Sequence, residues 1–515
     1  MPYRQDLWAQ LAQVPKAQCW GRTIELPRVS LPLFQEGRDY LAAELAAANT
    51  TFEQDCLDRN RETEPLGFQL RPHQHVGVAF AARRRGVLVA DTPRTGKTLQ
   101  SLMFHDPACG RLVVITPLPV REVWRGWIAR RFPDTEVSVI TGQTFDRAKL
   151  EAPIVVGHYD ILAAWQDASL QIGTLILDEA HVLSNRKSKR TLAAAFLASR
   201  AEKIAALTGT PLWNKPQGLW PLLGLVAPGA FGSFFEFASQ YTNAVETAWG
   251  AKFDGTRNEA ELKQRLTEMM LYRRWEDIAP TLPPVTRDIL LVDLTAEQRL
   301  ELDLVVAAGR ASSDSSTTIG AIAQYRSTLS LAKAPVAIEA AKADLDNDER
   351  VVIWTWHKST AKHIHQSLRK KYPSFLVTGD VSTMKREEAL ADWRKTPGAA
   401  LVITIAVGQV GIDLSDARLA IFAEVDFTPA LIAQAEMRTF SPLRPMNVRY
   451  LVADHPVERG IIDALRLKLD TGDKLGVPAA EAAIDVLKNA FALPEGEGDL
   501  DRLLRDLLAS ANDAG

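Results

Sequence analysis

Short, uninterrupted apolar runs recur along this chain in two blocks. The first block holds Val87–Ala90, Leu112–Thr116, Val137–Ile140, Ile154–Gly157, Leu175–Leu177 and Ile204–Leu207. The second holds Val351–Thr355, Phe375–Thr378, Leu401–Thr404, Leu419–Ala423 and Val448–Val452. Runs of this length without polar alternation predict strands buried on both faces, as in parallel sheets flanked by helices. The fold class expected is therefore α/β, in two lobes. Between the blocks, from Trp213 to about Ala332, the pattern predicts mostly helix, broken at Leu282-Pro283-Pro284. The polar run Ser312–Thr318 predicts a mobile loop. Near the start, Tyr40–Ala48 has an Ala-rich helical pattern. Near the end, Leu500, Leu503, Leu504, Leu507 and Leu508 form a helical stripe, expected to pack on its own lobe ahead of docking a partner.

Length and composition narrow this picture. At 515 residues the chain exceeds what one core supports, so several domains are expected. The net charge of -3 leaves nucleic-acid contacts to local basic patches. Cys19, Cys56 and Cys109 are far apart and predict neither a disulfide framework nor a zinc site. No apolar run approaches a membrane span, and a cytoplasmic, membrane-free protein is expected.

Two tetrapeptides carry chemistry. Thr95-Gly96-Lys97-Thr98 follows the run ending at Ala90. There Gly96 lets backbone N–H groups approach phosphates, Lys97 offers a point charge to them, and Thr98 offers a hydroxyl to magnesium. Asp178-Glu179-Ala180-His181 follows the run ending at Leu177. Asp178 suits magnesium and Glu179 suits polarising an attacking water. A phosphate loop lacks its usual first glycine here, with Asp91 in that place. An acidic helix cap would also explain Asp178-Glu179 but not the upstream loop. The pairs His73/His75 and His363/His365 have no third ligand nearby and are read as non-ligands. Trp354 and Trp356 share a strand face and are expected in a core, with base stacking the alternative.

The order of these motifs resembles the Swi/Snf family of helicase-like ATPases in helicase superfamily two, over roughly residues 66–462. The resemblance rests on Leu70-Arg71-Pro72-His73-Gln74, Asp91–Thr98, Ile115-Thr116-Pro117-Leu118, His158-Tyr159-Asp160 and Asn185–Lys189. Its most specific stretch is Leu207-Thr208-Gly209-Thr210-Pro211-Leu212-Trp213-Asn214, and Tyr272-Arg273-Arg274 follows. In the second block, Val407–Leu414 and Gln434-Ala435-Glu436-Met437-Arg438 continue it. The pattern breaks three residues after Arg438, where a second arginine is expected and Ser441 stands; Arg444 lies three further on.

The resemblance implies two RecA-like parallel-sheet lobes in tandem with helical insertions. The expected domains are an N-terminal helical extension (1–64), a first lobe (65–285) with a helical protrusion at about 213–280, a helical linker or protrusion (286–335), a second lobe (336–475) and a helical tail (476–515). It implies an ATP hydrolase with ATP and magnesium as cofactors. Arg71, Gln74, Thr95, Gly96, Lys97, Thr98, Gly411 and Asp413 would bind ATP, and Thr98 and Asp178 would hold magnesium. Lys97, Asp178, Glu179, Gln434 and Arg438 would act in hydrolysis, with Arg444 the second choice for the arginine. His181 would couple nucleotide state to Thr208, Gly209 and Thr210. Thr116, Pro117, His158, Lys187, Lys189, Arg190, Thr378 and Thr404 would follow one strand of duplex DNA. The function expected is movement on double-stranded or forked DNA, as a monomer, alongside replication or recombination proteins, in a bacterial cell or phage-infected host. A strand-separating helicase and a catalytically weak DNA-binding scaffold are the alternatives.

Overall fold

The computed structural model describes residues 18–20 and 23–25 and most of 69–458, apart from short stretches at 167–169, 212–215, 248–249, 275–277, 279–284, 312–314, 409–411, 425–428, 442–443, 454 and 456–457. The chain divides into two compact units, Met1–Ala79 and Phe80–Gly515. In the first, β1 (Gln18–Trp20) and β2 (Thr23–Glu25) pair as an antiparallel ribbon. Of the expected helical extension 1–64 only these two strands are described, and Tyr40–Ala48 lies outside the described residues.

The second unit holds two parallel sheets. The first sheet comprises β3 (Gly86–Val89), β4 (Leu112–Thr116), β5 (Val137–Val139), β6 (Ile154–His158), β7 (Ile172–Asp178), β8 (Ala201–Leu207) and a short β11 (Met270–Leu271). Their order is β11-β3-β8-β7-β4-β6-β5. The second comprises β12 (Val285–Val292), β13 (Val351–Thr355), β14 (Ser374–Val377), β15 (Ala400–Thr404), β16 (Leu419–Phe422) and β17 (Met446–Ala453), in the order β12-β17-β16-β13-β15-β14. Every pairing in both sheets is parallel.

The apolar runs place a core on each face of each sheet. Along β3, Leu88 enters one cluster while Val87 and Val89 enter another. Along β13, Val352 and Trp354 lie on one side, and Val351 and Ile353 on the other. Trp354 is fully buried and stacks on Phe422 with centroids 5.9 Å apart, so it is a core residue. Each sheet is therefore a rigid platform whose strands end at one edge, the edge where an α/β sheet presents its loops to ligands.

The expectation of mostly helix between 213 and 332 needs correction. Besides helices, this stretch contains a hairpin, β9 (Asn243–Thr247) with β10 (Gly250–Asp254), then β11 and the whole of β12. Strand β12 escaped notice for a physical reason. It is a sheet-edge strand with Thr286, Asp288, Leu290 and Leu291 exposed, and the polar Thr286-Arg287-Asp288 leaves only a short apolar run at 289–292. Its Arg287 donates to the Glu436 carboxylate at 2.5 Å and so ties the edge strand to the helix Pro429–Thr439. Ser315–Thr318, expected in a loop, begin the long helix Ser315–Asp346. Serine and threonine favour helix starts, and the alanine-rich sequence beyond them sustains helix through to Asp346. The leucine stripe at 500–508 lies outside the described residues.

Candidate active site

The loop leaving β3 is held open by its own backbone. Gly96 has φ 81° and caps helix α1 (Lys97–Phe104), a conformation that glycine adopts without steric cost. Lys97 stands at the first position of α1, and its Nζ donates to the carbonyls of Asp91 (2.7 Å) and Thr92 (3.1 Å). Burial pushes the Lys97 ammonium pKa down, opposed by the charges of Glu179, Asp91 and Asp178. Thr95 is buried and donates to the Thr92 carbonyl at 3.0 Å, so its hydroxyl shapes the loop. Thr98 follows Lys97 in the first turn of the helix.

Asp91, the residue in place of the loop's first glycine, is fully buried. Its carboxylate accepts from Arg273 Nε at 3.1 Å and from Arg273 Nη2 at 2.5 Å. The same guanidinium donates to Gln100 Oε1 at 2.9 Å. Asp91 therefore fastens the base of the phosphate loop to the segment after β11. Sequence reasoning singled out Asp91 as a departure and Arg273 as a family signature, but nothing local paired them.

The acidic pair leaves the end of β7. Asp178 Oδ2 accepts from Trp124 Nε1 (2.8 Å) and Thr116 Oγ1 (3.1 Å), while Oδ1 accepts from the Glu179 amide (3.0 Å). The Tyr159 hydroxyl donates to the Asp178 carbonyl at 2.6 Å. Burial and the neighbouring Glu179 charge raise the Asp178 pKa, against the hydrogen bonds from Trp124 and Thr116. Glu179 has φ 50°, a left-handed conformation that costs a non-glycine residue roughly 1 kcal/mol and that clusters at functional sites. Burial would raise its pKa, yet His181 beside it and the charges of Lys97 and Arg438 hold it below the usual carboxylate range. The two carboxyls are thus driven apart, which is the signature of divided roles.

From Glu179 a chain of contacts runs outward. His181 Nδ1 lies 3.3 Å from Glu179 Oε2 and 3.1 Å from Thr208 Oγ1, just past β8. The Thr210 amide donates to Thr208 Oγ1 at 3.1 Å. Gln434 Nε2, on the second-lobe helix α2 (Pro429–Thr439), donates to Thr210 Oγ1 at 3.3 Å. Arg438, on the same helix, is close enough that its charge and those of Glu179 and Asp178 perturb one another. Residues from both sheets therefore converge on the acidic pair.

The description "SNF2-related domain" matches residues 63–324, and "Helicase conserved C-terminal domain" matches residues 333–441. The chain belongs to the SNF2-related family. The resemblance drawn from the motifs is thereby shown, and the two parallel sheets are the tandem RecA-like lobes it implied. The SWI/SNF-related matrix-associated actin-dependent regulator of chromatin subfamily A-like protein 1 of Xenopus tropicalis is 28% identical over 420 residues, which is 77% of this chain and 44% of that protein. The DNA annealing helicase and endonuclease ZRANB3 of Homo sapiens is 27% identical over 431 residues, 78% of this chain and 39% of that one. The chain spans about half the length of the curated relatives it matches. These relatives are eukaryotic, and the expectation of a bacterial or phage source draws no support from them. Among solved structures, the Sulfolobus solfataricus SWI2/SNF2 ATPase core in complex with dsDNA is 20% identical, covering 82% of this chain and 95% of that one, at a TM-score of 0.39.

Within this SNF2-related chain, four of the residues expected on DNA are buried. Thr116, expected on DNA, is fully buried and serves Asp178. His158 is buried with Nε2 bonded to the Thr141 carbonyl at 3.2 Å, and Thr378 and Thr404 are buried too. All four end strands or directly follow them, where a hydroxyl or ring turned inward is indistinguishable in sequence from one turned outward. Lys187, Lys189 and Arg190 are exposed, and Pro117 is half-buried. Arg444 donates to the Ser415 carbonyl at 2.9 Å and lies 3.8 Å from Asp416, so it is engaged within its own lobe; the arginine facing the acidic pair is Arg438. Asp413 is in the second lobe, where its Oδ1 accepts from the Ser415 amide at 3.0 Å. Gly411 lies outside the described residues. In the first unit, Gln74 Oε1 accepts from the Arg71 amide at 2.8 Å.

Gly209 sits against Pro93 of the phosphate loop. A Cβ there would lie 2.9 Å from Pro93 Cγ. Gly209→Ala is expected to displace Pro93 by a few tenths of an ångström, moving the loop that carries Lys97. Steady-state kinetics should show roughly a tenfold or greater fall in ATP turnover, in line with the cost of small misplacements at reacting centres. Unchanged turnover would mean that the contact carries no functional constraint.

Proposed function

We propose that this chain couples ATP hydrolysis to movement along double-stranded or forked DNA. The observation supporting the reading is the path Glu179–His181–Thr208–Thr210–Gln434, which joins a water-activating carboxylate to a helix of the other lobe. A lobe–lobe rearrangement driven at one end of that path is felt at the other, which is what a two-state clamp requires.

The site fits a magnesium nucleotide. Glu179 Oε2 is buried 3.3 Å from a His181 Nδ1 that it shares with Thr208, beside a second carboxylate already oriented by three donors. Thr98 and Asp178 would hold magnesium, which neutralises charge on the nucleotide's phosphates when bound. Lys97 would leave the Asp91 and Thr92 carbonyls for those phosphate oxygens. Glu179, held ionised, takes the proton of the attacking water. Arg438 balances negative charge from across the cleft.

For DNA, the exposed Lys187, Lys189 and Arg190 follow the acidic pair directly and suit phosphate contacts, which set position without reading sequence. The relatives, named a regulator of chromatin and a DNA annealing helicase, favour duplex or branched substrates over long unwinding. ATP hydrolysis measured with single-stranded, duplex, forked and four-way DNA, and with RNA, tests the reading. Strong stimulation by duplex or forked DNA, weakening steeply with salt, is expected. Stimulation by RNA alone would sink it. Displacement of an unpaired strand would favour the strand-separating alternative, and DNA binding without turnover would favour the scaffold.

A further inference from the structure

Arg94, in the phosphate loop, reaches across to the second lobe. Its guanidinium donates to the carbonyl of Arg438 at 2.9 Å, to the carbonyl of Phe440 and to the carboxylate of Asp413. These acceptors bracket the turn that leads into Ser441, the position at which the motif pattern calls for a second arginine. Arg94 adopts φ 67°, a backbone state that disfavours a side chain, so the residue is retained there at a conformational cost. Three donations from two guanidinium nitrogens, to two carbonyls and a carboxylate, use the spread and fixed plane of the arginine N–H groups. Asp413 Oδ1 is further held by the Ser415 amide, so the acceptor side is itself fixed.

We propose that Arg94 is an interlobe positioning residue that takes over from the arginine missing at 441. The guanidinium is supplied from the phosphate loop instead of from the second-lobe helix. It clasps the 438–440 turn and thereby fixes Arg438 against the acidic pair. The same clasp ties lobe closure to the loop that binds phosphate, so nucleotide occupancy and the Asp413 contact act on one side chain. The inference rests on the nucleotide-motor reading for its kinetic consequences, and on geometry alone for the clasp.

Arg94→Gly suits the test because glycine accepts the observed φ. It should lower DNA-stimulated kcat by about 10²-fold while KM for ATP changes little, the pattern of a lost orientation. Arg94→Lys should recover only part of that loss, because the three donors of an ammonium leave one nitrogen and do not reproduce the wider spread of the guanidinium N–H groups. Adding Ser441→Arg to Arg94→Gly should restore kcat at least tenfold, an outcome that a merely structural role would not produce. Hydrogen exchange of the full chain without nucleotide provides an independent readout. Amides of the segment around 438–441 should exchange faster in Arg94→Gly with thermal stability of the chain unchanged. If the wild-type chain hydrolyses no ATP, the motor reading fails while the exchange result still decides the clasp. Wild-type kcat in Arg94→Gly overturns the substitution for the missing arginine, and unchanged exchange overturns the clasp.

Discussion

Glu179→Gln is expected to abolish ATP turnover while leaving nucleotide binding intact, whereas Lys97→Ala is expected to lose both. The difference follows from where each group stands. Lys97 heads helix α1 with its ammonium over the phosphate loop, so its removal deletes charge from the position where phosphates bind. Glu179 projects beyond the loop, and glutamine keeps its shape while removing the proton acceptor. Loss of a positioned general base costs about 10²–10⁴-fold, or roughly 3–5 kcal/mol of barrier. Turnover in the presence of duplex DNA and equilibrium binding of a fluorescent ATP analogue separate the two effects. Glu179→Gln with near-normal turnover would remove Glu179 from the chemistry. The pH profile carries a further sign. Glu179 is held below the ordinary carboxylate range and stays ionised as pH falls. Asp178 is raised by burial and by the Glu179 charge, so it takes up a proton first. In the magnesium-free chain Asp178 should accordingly protonate above the ordinary carboxylate range, and magnesium held by Asp178 would lower it again.

What was legible in the sequence divides by distance along the chain. Strands such as β4 and β13 are apolar on both faces and announce themselves. Strand β12 is exposed at alternate positions and does not, and β11 pairs with β3 over only two residues. The same rule governs the site. Lys97, Asp178 and Glu179 were readable because each follows its strand within a few residues. The partners that make them work were not, since Arg273 meets Asp91 across 182 residues and Arg94 meets Asp413 across 319. Trp124 and Thr116 orient Asp178 from neighbouring elements, and no local pattern distinguishes them from core or DNA-facing residues. Motif spacing encodes chemistry carried by one turn of chain, while orientation of that chemistry is encoded only in the fold.

Breaking the Asp91–Arg273 pair is expected to have the largest effect on stability. Asp91 is wholly buried and the Arg273 side chain is 15% exposed, so each charge depends on the other for its solvation. Removing one partner of such a pair leaves an uncompensated charge and costs about 3–5 kcal/mol. Asp91→Ala and Arg273→Ala should each lower stability to urea by about that amount, and each should weaken ATP binding because the base of the phosphate loop loses its anchor. The double substitution should cost clearly less than the sum, since no buried charge is then stranded. Gln100 modifies the arithmetic: it bonds Arg273 at 2.9 Å and approaches Asp91 Oδ2 at 3.5 Å, so it can shelter whichever charge remains. Arg273→Ala with Gln100→Leu should therefore be worse than Arg273→Ala alone, because Asp91 then keeps neither donor. Single substitutions that each cost under about 0.5 kcal/mol and add without coupling would show that the loop is held by packing and not by this pair. The expected outcome makes the departure at position 91 intelligible. A glycine there would leave the loop supple, whereas the buried aspartate joins the stability of the first lobe to the geometry of its nucleotide site.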